Sequence, residues 1–313
     1  MTTPSHPSLV RIATRGSLLA LWQAEHVKAR LLAAHPELQI ELLVIKTAGD
    51  RILDTPLAKI GGKGLFIKEL EQAMLAGEAD LAVHSMKDVP VELPPELHIP
   101  VVLEREDPRD CLLSSHAGGL QGLPQGAIVG TSSLRRRSQL LALRPDLELR
   151  DLRGNVTTRL EKLARGEFDG IVLALAGLKR LGLTQGVSAA FEPAEMLPAI
   201  AQGVIGIECR RGDGRIEGLI AGLNDANASA VVAAERALNA RLQGGCQVPI
   251  AGHATLAGDQ LEVSGLVASL DGLKTLHATR RGPRAEAHAL GVAVAEALLA
   301  DGAGELLAAI GAH

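Results

Sequence analysis

The chain has 313 residues, of which 47% are hydrophobic and 22% are charged, and its formal net charge at pH 7 is −4. This composition is typical of a folded globular protein of two or three domains and excludes a disordered chain. The negative charge gives no general reason to bind nucleic acid or an anionic membrane. No apolar run has the length of a signal peptide or a membrane-spanning helix, so we expect a cytoplasmic protein that does not enter membranes.

The three cysteines, Cys111, Cys209 and Cys246, lie far apart in the sequence. Such a sparse, odd set indicates a reducing compartment without a disulfide framework. Cys111 and Cys209 fall within apolar strand patterns, where free cysteines are usually inert. The ten histidines show no paired ligand spacing, so we expect no metal site.

The first part of the chain alternates between strand and helix patterns. Ser17 is placed to cap the first helix, and Gly77 to end the second. The order β-α-β-α-β predicts an α/β sheet that is covered by helices on both faces. The predicted elements are strand 9–14, helix 18–35, strand 40–47, helix 65–77 and strand 79–85.

A second α/β pattern begins near residue 104, and a different pattern follows it. Asn155 lies near the cap of one helix, and Pro145 ends another. The last ninety residues read as a helix, three short antiparallel strands and a final helix, which is an α+β arrangement. The predicted elements are strands 111–115 and 127–133, helix 134–145, strand 147–152, helix 154–167, strand 169–177, a short helix and a buried strand within 197–213, helix 230–244, strands within 250–282 and helix 285–302.

Arginines are dense between Thr131 and Arg159. In open α/β sheets ligands bind beyond the carboxyl ends of the strands, where helix starts favour anions and arginine forks grip carboxylates or phosphates. Any single arginine is as well explained by a solvated helix face. The recurrence at strand-to-helix junctions favours an anion site. A nucleic-acid site is disfavoured because the chain has no Tyr and only three Phe to stack on bases. The arginines are Arg135, Arg136, Arg137, Arg144, Arg150, Arg153 and Arg159.

The N-terminal part adds further candidates. Arg15 and Ser17 lie at the first strand-to-helix turn, and Lys63 lies in "GGKG", which suits a flexible cationic lid but lacks the spacing of a P-loop. Asp88, in "HSMKDVP", follows a strand and could stabilise a positive charge or shuttle a proton. A lone Asp before a turn more often has a structural role.

Cys246 lies in "RLQGGCQVPI", after two glycines that permit unusual backbone conformations. Such a turn can project a thiol into a cleft. The residues alone leave open whether Cys246 is a nucleophile, a covalent anchor or a surface thiol.

Eight blocks, in order, resemble the porphobilinogen deaminase family and span essentially the whole chain. They are "RIATRGSLLALWQA", "DTPLAKIGGKGLFIKELEQAML", "DLAVHSMKDVP", "EREDPRD", "GTSSLRRRSQL", "LRGNVTTRL", "LAGLKRLGL" and "RLQGGCQVPI". The resemblance implies a transferase that joins four porphobilinogen molecules head to tail, with release of ammonia, into hydroxymethylbilane. It also implies a dipyrromethane cofactor, attached to Cys246 by a thioether, and Asp88 as the catalytic carboxylate.

The resemblance also assigns roles to the cations, because each pyrrole carries an acetate and a propionate. It implies that Phe66 and Lys63 belong to a lid region. The implied cofactor-binding residues are Cys246, Asp88, Lys87, Ser133, Arg135, Arg136 and Arg159. The implied substrate-binding residues are Arg15, Ser17, Arg153, Arg159, Arg180 and Gln202.

The implied fold has two periplasmic-binding-protein-like (type II) α/β lobes and a small α+β C-terminal domain with a three-stranded antiparallel sheet. The expected domains are 1–103 with 204–223, then 104–203, then 224–313, and the protein is expected to be a monomer. One departure is Ala201, which stands where the family usually has glycine. The alternative is a non-catalytic, two-lobed protein that binds carboxylates or other anions, which leaves the third domain and Cys246 unexplained.

Overall fold

A computed structural model describes residues 9–51, 64–245 and 248–311. These residues fall into two compact units. The first unit contains residues 9–51, 64–105 and 204–229, and the second contains residues 106–203, 230–245 and 248–311. The predicted division into three domains stays a prediction, because the second unit holds both the second and the third sheet.

The first unit is built on a five-stranded mixed sheet with the strand order β2-β1-β3-β10-β4. β1 runs parallel to β2 and β3, whereas β10 runs antiparallel to β3 and β4. β10 therefore enters the middle of this sheet from a distant part of the chain. The elements are β1 (Leu9–Arg15), α1 (Leu18–Ala34), β2 (Gln39–Ile45), α2 (Ala48–Arg51), α3 (Lys68–Leu75), β3 (Leu81–Ser85), β4 (Leu97–Val102), β10 (Ile205–Arg210) and α7 (Gly214–Ile220).

The second unit contains a sheet of the same design, with the order β7-β6-β8-β5-β9. β6 runs parallel to β7 and β8, whereas β5 runs antiparallel to β8 and β9. Each sheet thus has three parallel strands, an inserted antiparallel strand and an edge strand. The elements are β5 (Asp110–Ser114), β6 (Ile128–Gly130), α4 (Leu134–Leu143), β7 (Glu148–Arg150), α5 (Val156–Ala164), β8 (Gly170–Ala174), α6 (Leu175–Leu181) and β9 (Val187–Ala190).

The remaining elements form a three-stranded antiparallel sheet with helices against it. The strand order is β11-β12-β13, with a tight turn at 258–259 and a longer connection at 269–274. Its core is a cluster of small and branched residues that includes Leu238, Val263 and Val294. The elements are α8 (Ala226–Arg241), β11 (Ile250–Ala257), β12 (Gln260–Ala268), β13 (Thr275–Pro283), α9 (Ala287–Ala300) and α10 (Ala303–Ala309).

The predicted fold class is confirmed, since two α/β sheets and a small α+β part with three antiparallel strands are all present. The predicted caps are also in place: the side chains of Ser17 and Asn155 accept backbone N–H groups at the starts of α1 and α5, and Gly77 has a left-handed φ of 74° after α3. These caps satisfy helix-end groups that have no partner within the helix.

Two local predictions are wrong. The apolar run 169–177 is not one strand, because β8 ends at Ala174 and the helix α6 follows at once. A buried strand and a buried helix cannot be distinguished by apolar runs of this length. The short helix expected before β10 is replaced by turns within 193–203. Across the described ranges, no helix combines the length and apolar character that crossing a membrane requires.

Ala201 adopts a left-handed backbone conformation, with a φ of 55°, in a fully buried turn. Its N–H donates a hydrogen bond of 2.6 Å to Oε2 of the buried Glu235. This bond holds the turn in a conformation that costs an L-residue roughly 1–2 kcal/mol and that glycine adopts freely. The departure from glycine is therefore a strained position.

We expect Ala201→Gly to stabilise the protein by about 0.5–1 kcal/mol, since the relief of strain exceeds the backbone entropy that glycine loses on folding. The measurement is the midpoint of thermal unfolding. Ala199→Gly is the matched control, because Ala199 lies two residues away without a left-handed φ, and it is expected to lower the midpoint. A lower midpoint for Ala201→Gly would show that the turn is not strained.

Candidate functional site

In the first unit, the carboxyl ends of two neighbouring strands bring the predicted residues together. β1 ends at Arg15 and β3 ends at Ser85, and these strands are parallel neighbours. Ligands bind beyond such strand ends in open α/β sheets. Asp88 lies in the short 3₁₀ turn that follows β3. A pocket at this edge is lined by Arg15, Ser17, Leu19, Ala20, Gln23, Phe66, Ile67, Val83, His84, Ser85 and Asp88.

Arg15 is held on two sides in this pocket. Its guanidinium carbon lies 4.3 Å from the centre of the Phe66 ring, and its Nη2 and Nε atoms donate to the carboxylate of Asp50. Asp50 also accepts a hydrogen bond of 2.8 Å from the Thr47 hydroxyl. Burial raises the pKa of Asp50, but the hydrogen bonds from Arg15 and Thr47 outweigh this and hold the pKa below its ordinary value. The fork of Arg15 is thus fixed in orientation.

In the second unit, three parallel strands present their carboxyl ends at one edge in the same way. β6 leads into α4, β7 into α5 and β8 into α6. The first two junctions touch, because Ser132 Oγ donates to the Leu152 carbonyl and accepts the Leu152 N–H. The predicted residues at these junctions are Ser133, Arg135 and Arg136 after β6, Arg153 and Arg159 after β7, and Arg180 after β8.

Asp110, at the start of β5, is the centre of a buried polar cluster in this unit. It is 0% exposed, and Arg135 and Arg136 are only 4% and 6% exposed. Arg135 Nη1 lies 2.7 Å from Asp110 Oδ2, and Arg136 Nη2 lies 2.8 Å from Oδ1. Gln202 Nε2 donates to the same Oδ1 at 2.9 Å. One carboxylate therefore binds two buried cations and one amide.

The charge balance of this cluster is uneven. Burial raises the pKa of Asp110, but the charges and hydrogen bonds of Arg135 and Arg136 outweigh this and hold the pKa well below its ordinary value. One negative charge therefore faces two positive charges. Within the described part of the chain, both hydrogen bonds of Arg135 leave from Nη1, so its Nε and Nη2 atoms suit a further carboxylate.

Arg180 is a further cation in a poorly solvated place. Burial lowers its pKa to about 10, although Glu106 opposes the shift, so the guanidinium stays charged at neutral pH. Its Nη2 donates a hydrogen bond of 2.7 Å to the Gly203 carbonyl. A partly buried cation of this kind suits an anionic ligand.

The other predicted residues that the structure describes are only partly buried. Ser133 caps α4 by accepting the Arg136 N–H, Arg159 Nε donates to the Gly154 carbonyl at 2.8 Å, and Lys87 and Arg153 are half-buried. Lys63 and Cys246 lie outside the described residues.

The turn that leads to Cys246 differs in detail from the expectation. Its left-handed residue is Gln243, with a φ of 53°, and not either glycine. Gly244 lies close to α8: a Cβ there would lie 2.0 Å from Asn239 Oδ1, so a larger residue would displace the Asn239 side chain. The glycine thus permits a close approach to α8.

The sequence patterns do not reveal the acidic partners of the arginines. Asp50 and Asp110 each hold a predicted ligand-binding arginine in place. A signal for Asp110 was present, because a charged residue at the edge of the apolar run "CLLSS" needs a buried partner. Cys111 and Cys209 are both buried, as their apolar strand patterns predict, and burial raises the pKa of each thiol to about 12.

Comparison with known proteins decides the family. Residues 10–218 match the family model described as the porphobilinogen deaminase dipyrromethane cofactor-binding domain, and residues 229–300 match the one described as the porphobilinogen deaminase C-terminal domain. The chain belongs to the porphobilinogen deaminase family. It is therefore a transferase of tetrapyrrole biosynthesis, which joins four porphobilinogen molecules into hydroxymethylbilane with release of ammonia.

Solved structures of other proteins show a distant likeness of fold. The periplasmic VFT2 domain of BvgS from Bordetella pertussis is 15% identical, with 69% of this chain and 86% of that chain covered and a TM-score of 0.41. The aliphatic sulphonate-binding protein SsuA from Escherichia coli is 17% identical, with 75% and 70% covered and a TM-score of 0.41. These figures describe the fold and say nothing of ligand or activity.

We expect Asp110→Asn to destabilise the protein by about 3–5 kcal/mol, because it leaves two arginines buried without a counter-charge. The measurement is denaturant unfolding at neutral pH, compared with the wild type. The lowered pKa of Asp110 means that its contribution is fully present above its ordinary value of 3.8 and is lost only as the pH falls below that value.

The control is Glu148→Gln, which breaks the exposed pair between Glu148 and Arg150 and should leave stability almost unchanged. If Asp110→Asn were as stable as this control, the buried cluster would not depend on the Asp110 charge.

Proposed function

We propose that Cys246 carries the dipyrromethane cofactor through a thioether bond, that Asp88 is the catalytic carboxylate, and that the strand-end cations bind pyrrole carboxylates. The observation that carries this proposal is the buried excess of positive charge around Asp110. Among the described residues, two arginines and one aspartate leave one positive charge of that cluster without a buried counter-charge. A buried cation needs an anion, and each pyrrole brings an acetate and a propionate.

The described residues offer hydrogen-bond donors that suit the carboxylates of the cofactor. Arg135 has Nε and Nη2 atoms that donate to no described residue, so it can bind a carboxylate while Asp110 holds its other end. Ser133 and Arg159 lie at the same edge of the sheet, after β6 and β7. When bound, the dipyrromethane supplies the pyrrole end to which new units are added. We assign to it Cys246, Lys87, Asp88, Ser133, Arg135, Arg136 and Arg159.

The substrate side uses the remaining cations. Arg15 is fixed by Asp50 and Phe66, so a carboxylate meets an oriented guanidinium and little rotamer entropy is lost on binding. Arg180 is charged and poorly solvated, which strengthens its attraction for an anion. Gln202 contributes through its hydrogen bond to Asp110. The proposed substrate-binding residues are Arg15, Ser17, Arg153, Arg159, Arg180 and Gln202, with Lys63 and Phe66 in a lid region.

Asp88 has the chemistry that the reaction needs. The carbon–nitrogen bond of porphobilinogen breaks, the electron pair leaves with ammonia, and a positive charge develops on the pyrrole. A carboxylate fixed beside that pyrrole stabilises the charge and then accepts the proton that is lost after carbon–carbon coupling. Asp88 lies in the pocket that also holds Arg15 and Ser17, so substrate carboxylates and the reacting ring can be bound together.

We also propose that the enzyme acts in the cytoplasm, which the small number of cysteines in the sequence supports. Its monomeric state stays a prediction from the family resemblance.

We expect the purified wild type to be heavier than its sequence by two pyrrole units, and Cys246→Ser to have the bare polypeptide mass. Intact-mass spectrometry, before and after incubation with porphobilinogen, measures both. Cys111→Ser is the matched control, since Cys111 is a buried thiol that donates to the Leu173 carbonyl, and it should keep the added mass. Added mass on Cys246→Ser would move the attachment elsewhere, and a wild type that never gains the added mass would show that the cofactor is not attached covalently.

We expect Asp88→Asn to keep the fold and the added mass but to lose turnover by about 100-fold or more, because charge stabilisation at a reacting centre is worth several kcal/mol. The measurement is steady-state formation of hydroxymethylbilane. Glu96→Gln is the control, because Glu96 is an exposed acid on the connection that follows Asp88, and it should retain wild-type turnover. Wild-type turnover in Asp88→Asn would remove Asp88 from the mechanism.

A further inference from the structure

Three side chains of different chemistry meet at the far end of the first sheet. His98 on β4 lies directly opposite Cys209 on β10, so both side chains project from the same face. A register shift between Ile207 and Cys209 lies beside this pair, and such irregularities re-aim side chains. Glu217 reaches the same place from α7, which follows β10.

The potential ligand atoms of these residues all lie within 4.8 Å of one another. His98 Nε2 is 2.9 Å from Glu217 Oε1, yet this buried nitrogen makes no hydrogen bond in the described part of the chain. At that distance a well-aligned N–H would count as a hydrogen bond, so the two groups are not directed at each other. Leaving a buried polar atom without a partner costs free energy, which a shared third partner would recover.

We propose that His98, Cys209 and Glu217 form a binding site for a divalent cation of borderline softness, of the Zn²⁺ class. Imidazole, thiolate and carboxylate are the ligands that Zn²⁺ uses, at about 2.0–2.3 Å in tetrahedral geometry. The combination excludes Mg²⁺ and Ca²⁺, which prefer oxygen ligands alone. The thiol proton leaves to solvent when the Cys209 sulfur binds, and one thiolate and one carboxylate then neutralise the dication. A water molecule completes the tetrahedron.

The surroundings suit such a site. Gly212 donates its N–H to Glu217 Oε1 at 2.9 Å, which fixes the carboxylate as outer partners of metal ligands do. Cys209 is fully buried, whereas the side chains of His98 and Glu217 are 21% and 33% exposed. The cation can therefore enter from the solvent side, past His98 and Glu217, and reach the sulfur beneath them.

The position separates this site from the proposed reaction. Along the β10–β3 ladder, Ile205 pairs with Ser85 near the Asp88 pocket, whereas Cys209 pairs with Leu81 at the opposite end. At about 3.3 Å per residue, four residues of strand amount to about 13 Å. The bound cation would tie β4, β10 and α7 together and stabilise the first unit without touching the substrate. This site is independent of the roles proposed for Cys246 and Asp88.

The test is a Co²⁺ titration of the full-length holoenzyme after treatment with a chelator. We expect one equivalent to bind, with near-ultraviolet thiolate-to-cobalt absorption and the intense visible bands of a tetrahedral site, and Zn²⁺ to displace it. Zn²⁺ should also raise the unfolding midpoint, because a ligand that binds only the folded state stabilises it. Cys209→Ser should abolish the thiolate absorption, whereas the controls Cys111→Ser and Cys246→Ser should retain it.

If Cys209→Ser does not fold, His98→Asn and Glu217→Gln replace it, since both positions are partly exposed, and each should weaken Co²⁺ binding at least tenfold. The proposal is overturned if the wild type shows no thiolate–cobalt absorption, if that absorption persists in Cys209→Ser, or if neither His98→Asn nor Glu217→Gln changes the affinity.

Discussion

The second unit depends on one buried negative charge. Asp110 fixes Arg135 and Arg136, which begin α4, and it also receives the amide of Gln202. The same arginines donate to the carbonyls of Leu197 and Val172, so the cluster joins β5, α4, β8 and the turn before β10. A lone carboxylate could not remain ionised in this interior, and two lone arginines could not remain buried. The excess positive charge that results is also what suits this place to a ligand rich in carboxylates.

The repeated sheet design explains why the cations occur where they do. In both units the parallel strands end at one edge and lead into helices or short turns, and these junctions carry the polar residues. The helix starts there offer backbone N–H groups, and side chains such as Ser17 and Ser133 satisfy part of them. Arginines at these positions add to the positive potential that the backbone N–H groups of the helix starts already provide.

Features that depend on neighbouring residues could be predicted from the sequence. The caps at Ser17 and Asn155, the helix end at Gly77 and the three antiparallel strands all follow from patterns a few residues long. Contacts across the chain could not be predicted in this way. The pairing of Asp110 with Arg135, the hydrogen bond from Ala201 to Glu235 and the register that places His98 opposite Cys209 all join parts of the chain that are distant in sequence. The insertion of β10 was expected only from the family resemblance, because apolar periodicity does not say which sheet a strand joins.

Because β10 comes from a distant part of the chain, the first sheet is completed late during synthesis. β10 is the only strand of the described sheet that pairs with β4, and it also covers one edge of β3. During synthesis from the N-terminus, β3 and β4 therefore lack their partner β10 until all of residues 106–203 have been synthesised. Residues 106–203 are continuous and contain all five strands of their own sheet, so that sheet can form first. The sheet that is started first is then completed only after the second one, and its exposed strand edges are open to mispairing with other nascent chains in the interval.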